Sequence, residues 1–359
     1  MNPTNTTKPM LSKAEIIDRV KGMIYGQALG DAYGLATEFK TRQWVRENYK
    51  TVDLGKDIEV PVIPFPNFVV TDHNARWEQG DWTDDTDQMI CIMDMYNAKK
   101  QVDKIDFASR LYDWHKNGFP ELGDQAGMGI GATIYKVLNH PYFKRFPHEV
   151  AEAVTKETGS ASNGALMRCC INSAFNITDK AKVEADTIEC AKVTHTNPQV
   201  LSSCVLMTTV LNDILLHGKF YLDEAIAKAL AQFENAELEQ EQIKEEIDLF
   251  YKTINIPTSL KKYGFDYQPT IGYVYICLKA FLFGAKVKLQ SQKMAECFKY
   301  YMNLLIAQGG DADTNGAVCG AALGARMGYN NLPQDWLASM PNKSWLDEKV
   351  EAFIANIQW

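Results

Sequence analysis

None of the eight cysteines in this chain belongs to a C-x-x-C pair. Most of them lie inside apolar stretches with helical spacing, where a cysteine behaves as a small buried hydrophobic residue. This arrangement argues against a disulfide framework or a zinc site and favours free thiols in a reducing compartment. We therefore expect a cytoplasmic protein.

Dense runs of lysine or arginine are also missing. The chain has 37 basic and 45 acidic residues, a net charge of −8 and a pI of about 5.4. Because a duplex-binding surface normally carries a basic patch or stripe, the composition argues against nucleic acid as a partner. A phosphate-bearing ligand stays compatible, since backbone N–H groups and bound cations hold phosphates without net basic charge.

No segment resembles a signal peptide or a membrane span. The first ten residues are polar, so they lack the apolar core of a signal peptide. The two longest apolar stretches, 200–216 and 273–287, are short for a span; the first contains Asn212 and Asp213, and the second contains Lys279 and Lys286. We expect both to be buried helices of a protein that acts away from membranes, as a monomer.

Helical periodicity dominates the rest of the chain. The predicted helices are 16–31, 87–100, 105–116, 131–139, 180–195, 198–217, 273–287, 294–305 and 315–327, and most of 222–263 is also predicted to be helical. Ser12 and Glu15 have the spacing of a capping box at the start of the first helix. Residues 1–12 are predicted to be a disordered tail, and 51–80, with three prolines, a loop. The remainder, 13–359, is predicted to be one all-α domain.

Four aspartates crowd the segment 80–87, directly before a predicted helix: Asp81, Asp84, Asp85 and Asp87. Helix N-terminal N–H groups stabilise carboxylates, yet packing four together costs repulsion unless cations bind. Carboxylate and hydroxyl oxygens suit Mg²⁺, Mn²⁺ or Ca²⁺. Taken alone, this turn is explained equally well by an over-capped surface helix.

The same chemistry recurs in segment 308–316, where Asp311, Asp313 and Thr314 follow a Gly-Gly turn. The helix that begins there is rich in glycine and alanine, which permits close packing and would hold the turn deep in a bundle. Two matching acid–threonine turns far apart in the chain are much less expected by chance than one. Together they predict a site that binds two metal ions.

Further candidates lie in glycine-rich segments. Glu38 follows a glycine-punctuated turn and could supply a metal ligand or a proton-transfer group. The loops 127–131 and 159–168 could present N–H groups to phosphate oxygens, although an ordinary turn explains each of them as well. His195 lies between two predicted helices, where a histidine often serves only as a cap.

These segments, taken in order, resemble the ADP-ribosylglycohydrolase family over residues 16–330. The most specific are Thr-Asp-Asp-Thr at 83–86 and Gly-Gly-Asp-Ala-Asp-Thr at 309–314. The resemblance implies a compact, single-domain orthogonal helical bundle with a binuclear Mg²⁺ centre between helix N-terminal turns, Mn²⁺ being the alternative metal. It also implies that an ADP-ribosylated protein is the substrate and that free ADP-ribose is released.

The same resemblance implies roles for individual residues. The metal ligands would be Thr83, Asp84, Asp85, Asp311, Asp313 and Thr314, and catalysis would fall to Glu38, Asp84, Asp85 and Asp313. ADP-ribose would lie against Gly127, Gly129, Gly131, Ser162, Asn163, Gly164, His195 and Tyr273. Within that set, 162–164 would meet the diphosphate and Tyr273 the adenosine end. The family's usual Gly-Asn-Gly loop is Ser-Asn-Gly here, and segments 56–79 and 232–262 resemble local elaborations.

Arginine-linked mono-ADP-ribose is the expected substrate on family grounds, while serine-linked, polymeric and other conjugates stay open. One rival is a different metal-dependent hydrolase, such as a nucleotide phosphohydrolase, although those more often use pairs of glutamates on helices. The other rival is a catalytically silent relative that binds ADP-ribose. The presence of all six implied metal ligands argues against a silent relative.

Overall fold

A computed structural model describes residues 10–53, 59–236, 238–255 and 272–359. The helices in these ranges are α1 (Lys13–Gly34), α2 (Arg42–Asn48), α3 (Asp84–Lys99), α4 (Lys104–Asn117), α5 (Ala132–Leu138), α6 (Pro147–Thr158), α7 (Lys180–Lys192), α8 (Pro198–His217), α9 (Leu222–Glu234), α10 (Gln240–Ile254), α11 (Val274–Lys286), α12 (Met294–Ile306), α13 (Ala312–Met327), α14 (Gln334–Ala338) and α15 (Lys343–Asn356). Two three-residue strands, β1 (Thr51–Asp53) and β2 (Glu59–Pro61), pair antiparallel. The predicted all-α class is confirmed.

The helices predicted from periodicity are present, with ends that differ by a few residues at most. Segment 222–263 forms α9 and α10, and its last residues lie outside the described part of the chain. Four helices, α2, α6, α14 and α15, were not predicted. The helices α2 and α14 have only 7 and 5 residues, too few for a periodic signal. For α6 the signal was available, because Pro147 starts the helix and Val150 and Val154 share its buried face.

Local sequence explains where the first helix begins. Ser12 Oγ accepts a hydrogen bond from Glu15 N at 3.3 Å, and Glu15 Oε2 accepts one from Ser12 N at 2.9 Å. The predicted capping box is therefore present. Of the predicted tail, residues 1–9 lie outside the described residues. Leu11 N, within that tail, donates to Leu216 O at 2.8 Å.

The helices α1 and α13 pack backbone to backbone through facing glycines. A Cβ added to Gly26 would lie 2.3 Å from Gly320 O, and one added to Gly30 would lie 2.0 Å from Gly316 O. At the far end of the same seam Gly22 meets Gly324, so the two helices run antiparallel. The C-terminal turn of α1 therefore lies beside the N-terminal turn of α13, which fixes the position of the site.

The helix α8 lies in the core, where it packs against α7, α9, α11 and α13. It begins at a capping residue, Asn197, whose side chain accepts a hydrogen bond from Gln199 N, and at Pro198. Its length and apolarity would allow a membrane span, but 94% of its apolar window is buried inside the protein. As predicted, it is a buried helix, and the eight cysteines are buried free thiols.

Candidate metal and ligand site

The N-terminal turns of α3 and α13 meet beside the end of α1. One carboxylate oxygen from each of Asp31, Asp85 and Asp313 lies within 4.8 Å of the other two, and the three residues are buried. A second group, Glu38, Asp311 and Asp313, satisfies the same distance limit. Because Asp313 belongs to both groups, the two clusters are adjacent and suit two neighbouring cations.

Asp31, on α1, supports the site from behind. Its Oδ1 accepts hydrogen bonds from Thr83 N at 3.1 Å and Thr83 Oγ1 at 2.8 Å. Its Oδ2 accepts from Thr86 N at 3.0 Å and Thr86 Oγ1 at 2.7 Å. Asp31 thus caps the free N–H groups of α3 from another helix. No role was assigned to Asp31 from the sequence.

The four aspartates of segment 80–87 separate in the structure. Asp87 accepts hydrogen bonds from the indoles of Trp82 at 2.7 Å and Trp114 at 2.9 Å. Asp81 accepts one from Asn342 Nδ2 at 2.9 Å. Of this turn, Asp85 belongs to one of the carboxylate groups, and Asp84 lines the cavity described below.

Carboxylate oxygens without partners show that the cluster fits a cation. Asp85 Oδ1 and Asp313 Oδ1 are buried and have no hydrogen-bond donor among the described residues. Asp85 Oδ2 lies 3.2 Å from Thr83 Oγ1 and 3.4 Å from Thr314 Oγ1, so two hydroxyls share its surroundings. Unpartnered buried carboxylate oxygens are costly unless a hard cation such as Mg²⁺ satisfies them.

The electrostatics of the cluster agree with this fit. Burial, and then the neighbouring carboxylates, raise the pKa of Asp84, Asp85 and Asp313 well above the usual value. Burial also raises the pKa of Asp31 and of Asp311 to about 6, and hydrogen bonds to each partly offset the increase. A divalent cation would replace the protons that the cluster otherwise favours.

The loop that carries Glu38 is fastened to the second acid turn. Phe39 N donates to Gly310 O at 2.7 Å, and Gly310 N donates to Lys40 O at 2.9 Å. Gly309 has a φ of +70°, and a Cβ there would lie 2.1 Å from Lys40 O. The Gly-Gly turn therefore permits the close approach that brings Glu38 to Asp311 and Asp313.

His73, which the sequence analysis did not single out, contacts Glu38 directly. Its Nε2 lies 2.5 Å from Glu38 Oε2, and its Nδ1 lies 2.8 Å from Arg76 Nη2. The ring also packs against Phe39 at 4.7 Å and Trp77 at 5.5 Å between centroids. The proline-rich loop, noted only as an elaboration, therefore forms one wall of the site.

The predicted ligand loop lies on the opposite wall. Asn163 Nδ2 donates to Asp311 Oδ2 at 2.6 Å, which joins this loop to the acid cluster. Ser162 forms an isolated bridge with Tyr273, and Ser162 Oγ lies 2.8 Å from His195 Nε2. The structure thus brings Ser162, Asn163, His195 and Tyr273 together although they lie up to 111 positions apart (273 − 162).

The three glycines of loop 127–131 occupy different surroundings. Gly129 has a φ of +92°, and a Cβ there would lie 2.4 Å from Asp84 Oδ1, so this residue must approach the acid turn closely. Gly131 borders the cavity and has no described atom within 4 Å of an added Cβ. A Cβ added to Gly127 would lie 2.6 Å from the Trp114 ring, and Gly127 does not line either of the two cavities described next.

Two neighbouring cavities open on the cluster. The first, of about 240 Å³, is lined by Glu38, Phe39, Asp84, Gly129, Gly131, Ala132, Thr133, Ile134, Ser162, Asn163, Gly164, Met167, Gly272, Asp311, Asp313 and Thr314. The second, of about 370 Å³, adds His73, Arg76, Trp77, Thr83 and Ile130. Glu38 and Asp313 border both cavities. A ligand that filled the two would therefore pass directly over the carboxylates.

Comparison with known proteins agrees with the motifs. A protein of Serratia proteamaculans named ADP-ribosylarginine hydrolase Tri1 is 25% identical over 97% of this chain and 82% of its own length. The ADP-ribosyl-(dinitrogen reductase) glycohydrolase of Rhodospirillum rubrum is 25% identical over 93% of this chain and 92% of its own length. ADP-ribosylhydrolase ARH3 of Mus musculus is 24% identical over 91% of this chain and 89% of its own length.

A solved structure described as an ADP-ribosylglycohydrolase-related protein complex has the same fold. Its TM-score is 0.60 at 22% identity, and the match covers 96% of this chain and 100% of that one. The model of the ADP-ribosylglycohydrolase family matches residues 12–359. The chain belongs to the ADP-ribosylglycohydrolase family and is a hydrolase of ADP-ribose linkages.

Proposed function

We propose that this protein is a Mg²⁺-dependent hydrolase that cleaves the glycosidic bond between ADP-ribose and an arginine side chain of a modified protein. The observation that carries the proposal is the pair of buried, unpartnered oxygens, Asp85 Oδ1 and Asp313 Oδ1, within two converging carboxylate groups. The arginine linkage is supported by relatives from Serratia proteamaculans and Pseudomonas putida that are named ADP-ribosylarginine hydrolases.

The residues that would hold the two ions are the side chains at the two acid turns: Thr83, Asp84, Asp85, Asp311, Asp313 and Thr314. When bound, the ions would orient the ribose hydroxyls and a water molecule and lower the pKa of that water. Mn²⁺ offers the same preference for oxygen ligands and is the expected substitute.

The surrounding residues would bind and orient the ADP-ribose. The loop 162–164 would meet the diphosphate, with His195 behind Ser162 and Tyr273 toward the adenosine. Gly129 and Gly131 would border the ribose, and Gly127 would hold the loop against Trp114. In this arrangement the scissile bond would lie near Glu38, which borders both cavities.

Glu38 is our choice for the group that transfers the proton. Asp84 Oδ2 accepts from Gln88 Nε2 at 2.8 Å, and Asp85 Oδ2 lies near two threonine hydroxyls. Glu38 instead stands on a loop over the cavities, with His73 Nε2 against one oxygen. Bond cleavage at an anomeric carbon develops oxocarbenium character, which nearby carboxylates would stabilise.

The test is release of free ADP-ribose from matched arginine-linked, serine-linked and polymeric substrates, each with Mg²⁺ and with EDTA. We expect release from the arginine-linked substrate in Mg²⁺ alone. Release from the serine-linked or polymeric substrate instead would correct the linkage and keep the chemistry. Binding of ADP-ribose with no release from any substrate would contradict the proposal and favour a silent, ADP-ribose-binding relative.

We also propose that the protein acts as a cytoplasmic monomer. The eight buried free thiols suit a reducing compartment. Light scattering on the eluting protein should give a mass near 40.5 kDa, whereas a mass near twice that value would contradict the monomer.

A further inference from the structure

Arg168 is a buried cation in the interior of the bundle. It is 1% exposed, and its guanidinium lies 5.1 Å from the centre of the Phe107 ring. Burial lowers its pKa to about 10, so it stays charged at neutral pH. None of the described carboxylates forms an ion pair with it. A buried charge of this kind is costly unless its hydrogen bonds are used, so the bonds that it makes require an explanation.

One set of bonds leads to the acid turn. Arg168 Nη1 donates to Gln88 Oε1 at 2.7 Å, and Gln88 Nε2 donates to Asp84 Oδ2 at 2.8 Å. Because a guanidinium can only donate, the amide oxygen of Gln88 must face Arg168 and its NH₂ group must face Asp84. This fixes Asp84 Oδ2 as an acceptor and leaves Oδ1 on the side of Gly129 and the cavity.

The other set leads to the ligand loop. Arg168 Nη2 donates to Thr194 Oγ1 at 2.6 Å and uses one of its lone pairs, and His195 Nδ1, at 2.8 Å, is the acceptor among the described contacts for the hydroxyl hydrogen of Thr194. Burial, and then Arg168, lower the pKa of His195 to about 3, so the ring is neutral. Its single proton is therefore on Nε2, which donates to Ser162 Oγ at 2.8 Å.

The direction of these bonds determines what Ser162 can offer a ligand. Its oxygen accepts from His195, and its own hydrogen points to Thr133 Oγ1 at 3.1 Å, beside the first cavity. Ser162 is therefore a donor on this side, and an anionic phosphate oxygen that took the place of Thr133 Oγ1 would accept its hydrogen. If the hydrogen bonds from Thr194 through His195 to Ser162 ran in the opposite direction, a lone pair of Ser162 Oγ would face the same anion.

We propose that Arg168 is a positioning residue that sets the direction of hydrogen bonding at the acid turn of α3 and at the ligand loop at once. Through Gln88 it orients Asp84 for the metal ions, and through Thr194 and His195 it makes Ser162 a donor to the diphosphate. The inference rests on the proposed function for the identity of the two ligands. The tautomer of His195 depends on neither ligand.

The first measurement is the ring ¹⁵N spectrum of His195, which distinguishes the two neutral tautomers. The chain has only six histidines, and His195→Asn assigns the signal. We expect the Nε2–H tautomer in the wild type and in the conservative variant Thr194→Ser. Thr194→Val and Arg168→Met should give a mixture of tautomers. The Nδ1–H form in the wild type, or an unchanged tautomer in folded Arg168→Met, would overturn the inference.

The second measurement tests the acid turn and the ligand loop separately. ADP-ribose binding is titrated in EDTA, and Mn²⁺ binding is titrated without ADP-ribose. Thr194→Val should weaken ADP-ribose binding about tenfold and leave Mn²⁺ affinity within about twofold. Gln88→Leu should do the reverse, and Arg168→Met should weaken both. If Arg168→Met does not fold, the variants Thr194→Val and Gln88→Leu provide the test.

Equal losses of both affinities in Thr194→Val and Gln88→Leu, in proportion to lost thermal stability, would mean a purely structural role and contradict the inference. A wild type that binds neither Mn²⁺ nor ADP-ribose would instead contradict the proposed function. The tautomer would then still decide whether Arg168 sets the bond direction.

Discussion

The carboxylates around the site divide according to whether their oxygens already have donors. Asp31 accepts four hydrogen bonds and Asp87 accepts two from indoles, so both stabilise the framework. Asp85 and Asp313 each keep one buried oxygen without a donor among the described residues. Identical side chains therefore differ in function because their surroundings differ.

Asp81 gives a prediction for pH at the scale of one residue. Burial raises its pKa to about 7, so the folded protein binds a proton that the unfolded chain releases near pH 4. Its contribution to stability is therefore present at low pH and is lost as the pH rises through 7. Relative to Asp81→Asn, the wild type should lose on the order of 4 kcal/mol between pH 4 and pH 8.

Denaturant unfolding of both proteins across that pH range, in EDTA and in Mg²⁺, measures this difference. A difference in free energy of unfolding that stays constant with pH would contradict the assigned pKa of Asp81. The same slope in EDTA and in Mg²⁺ is expected, because Asp81 bonds to Asn342 and Trp82 N rather than joining the cluster.

Motif spacing identified the cluster residues that come from the two acid turns, together with Glu38. It could not identify His73 or Gln88, because each acts through a contact made by the fold and neither belongs to a local pattern. Asp31 lies at the end of the first predicted helix, but its role depends on reaching the N-terminus of another helix. A single sequence does not encode such cross-helix partners in its spacing.

At the scale of elements, the glycine seam between α1 and α13 sets the geometry of the site. Gly26→Ala would favour the helix by about 1 kcal/mol through propensity alone. The added Cβ would nevertheless lie 2.3 Å from Gly320 O, so the helices must separate. We expect a net loss of about 3 kcal/mol in stability and a clear loss of metal affinity.

The matched control is Gly131→Ala, whose added Cβ meets no described atom within 4 Å. Its free energy of unfolding should stay within about 1 kcal/mol of the wild type. Thermal unfolding of both variants tests the seam directly. Wild-type stability in Gly26→Ala would mean that the two backbones are not in contact.

One side of this seam, on α13, was identified from the sequence. The small-residue face of α13 was recognised, and deep burial of the turn at its start was expected from it. The matching glycines of α1, Gly22, Gly26, Gly30 and Gly34, recur at every fourth position and were readable in the same way. Which of the chain's helices would pair through these faces is decided by the whole bundle.

At the scale of the whole molecule, metal binding should stabilise the fold, because it neutralises a cluster of buried carboxylates. At about 100 times the dissociation constant, a bound ion adds about 2.7 kcal/mol. We expect Mg²⁺ to raise the melting temperature by about 3–6 °C over EDTA. Asp313→Asn should lose most of that increase, since Asp313 belongs to both carboxylate groups. An equal increase in both proteins would place the bound ion elsewhere.

The all-α class and the order of the helices followed from periodicity over long segments, where the signal is strong. The wall formed by the proline-rich loop could not be predicted, because residues 59–80 have no regular periodicity. There Glu38 meets His73 through a loop whose path depends on tertiary contacts.

The most direct test of the account is ADP-ribose release while Mg²⁺ is titrated into EDTA-stripped protein, for the wild type and Asp313→Asn. We expect no release before Mg²⁺ is added, saturable release in the wild type, and a rate at least about 100-fold lower in the variant. Turnover in EDTA, or wild-type Mg²⁺-dependent turnover in Asp313→Asn, would contradict a metal centre built on these two acid turns.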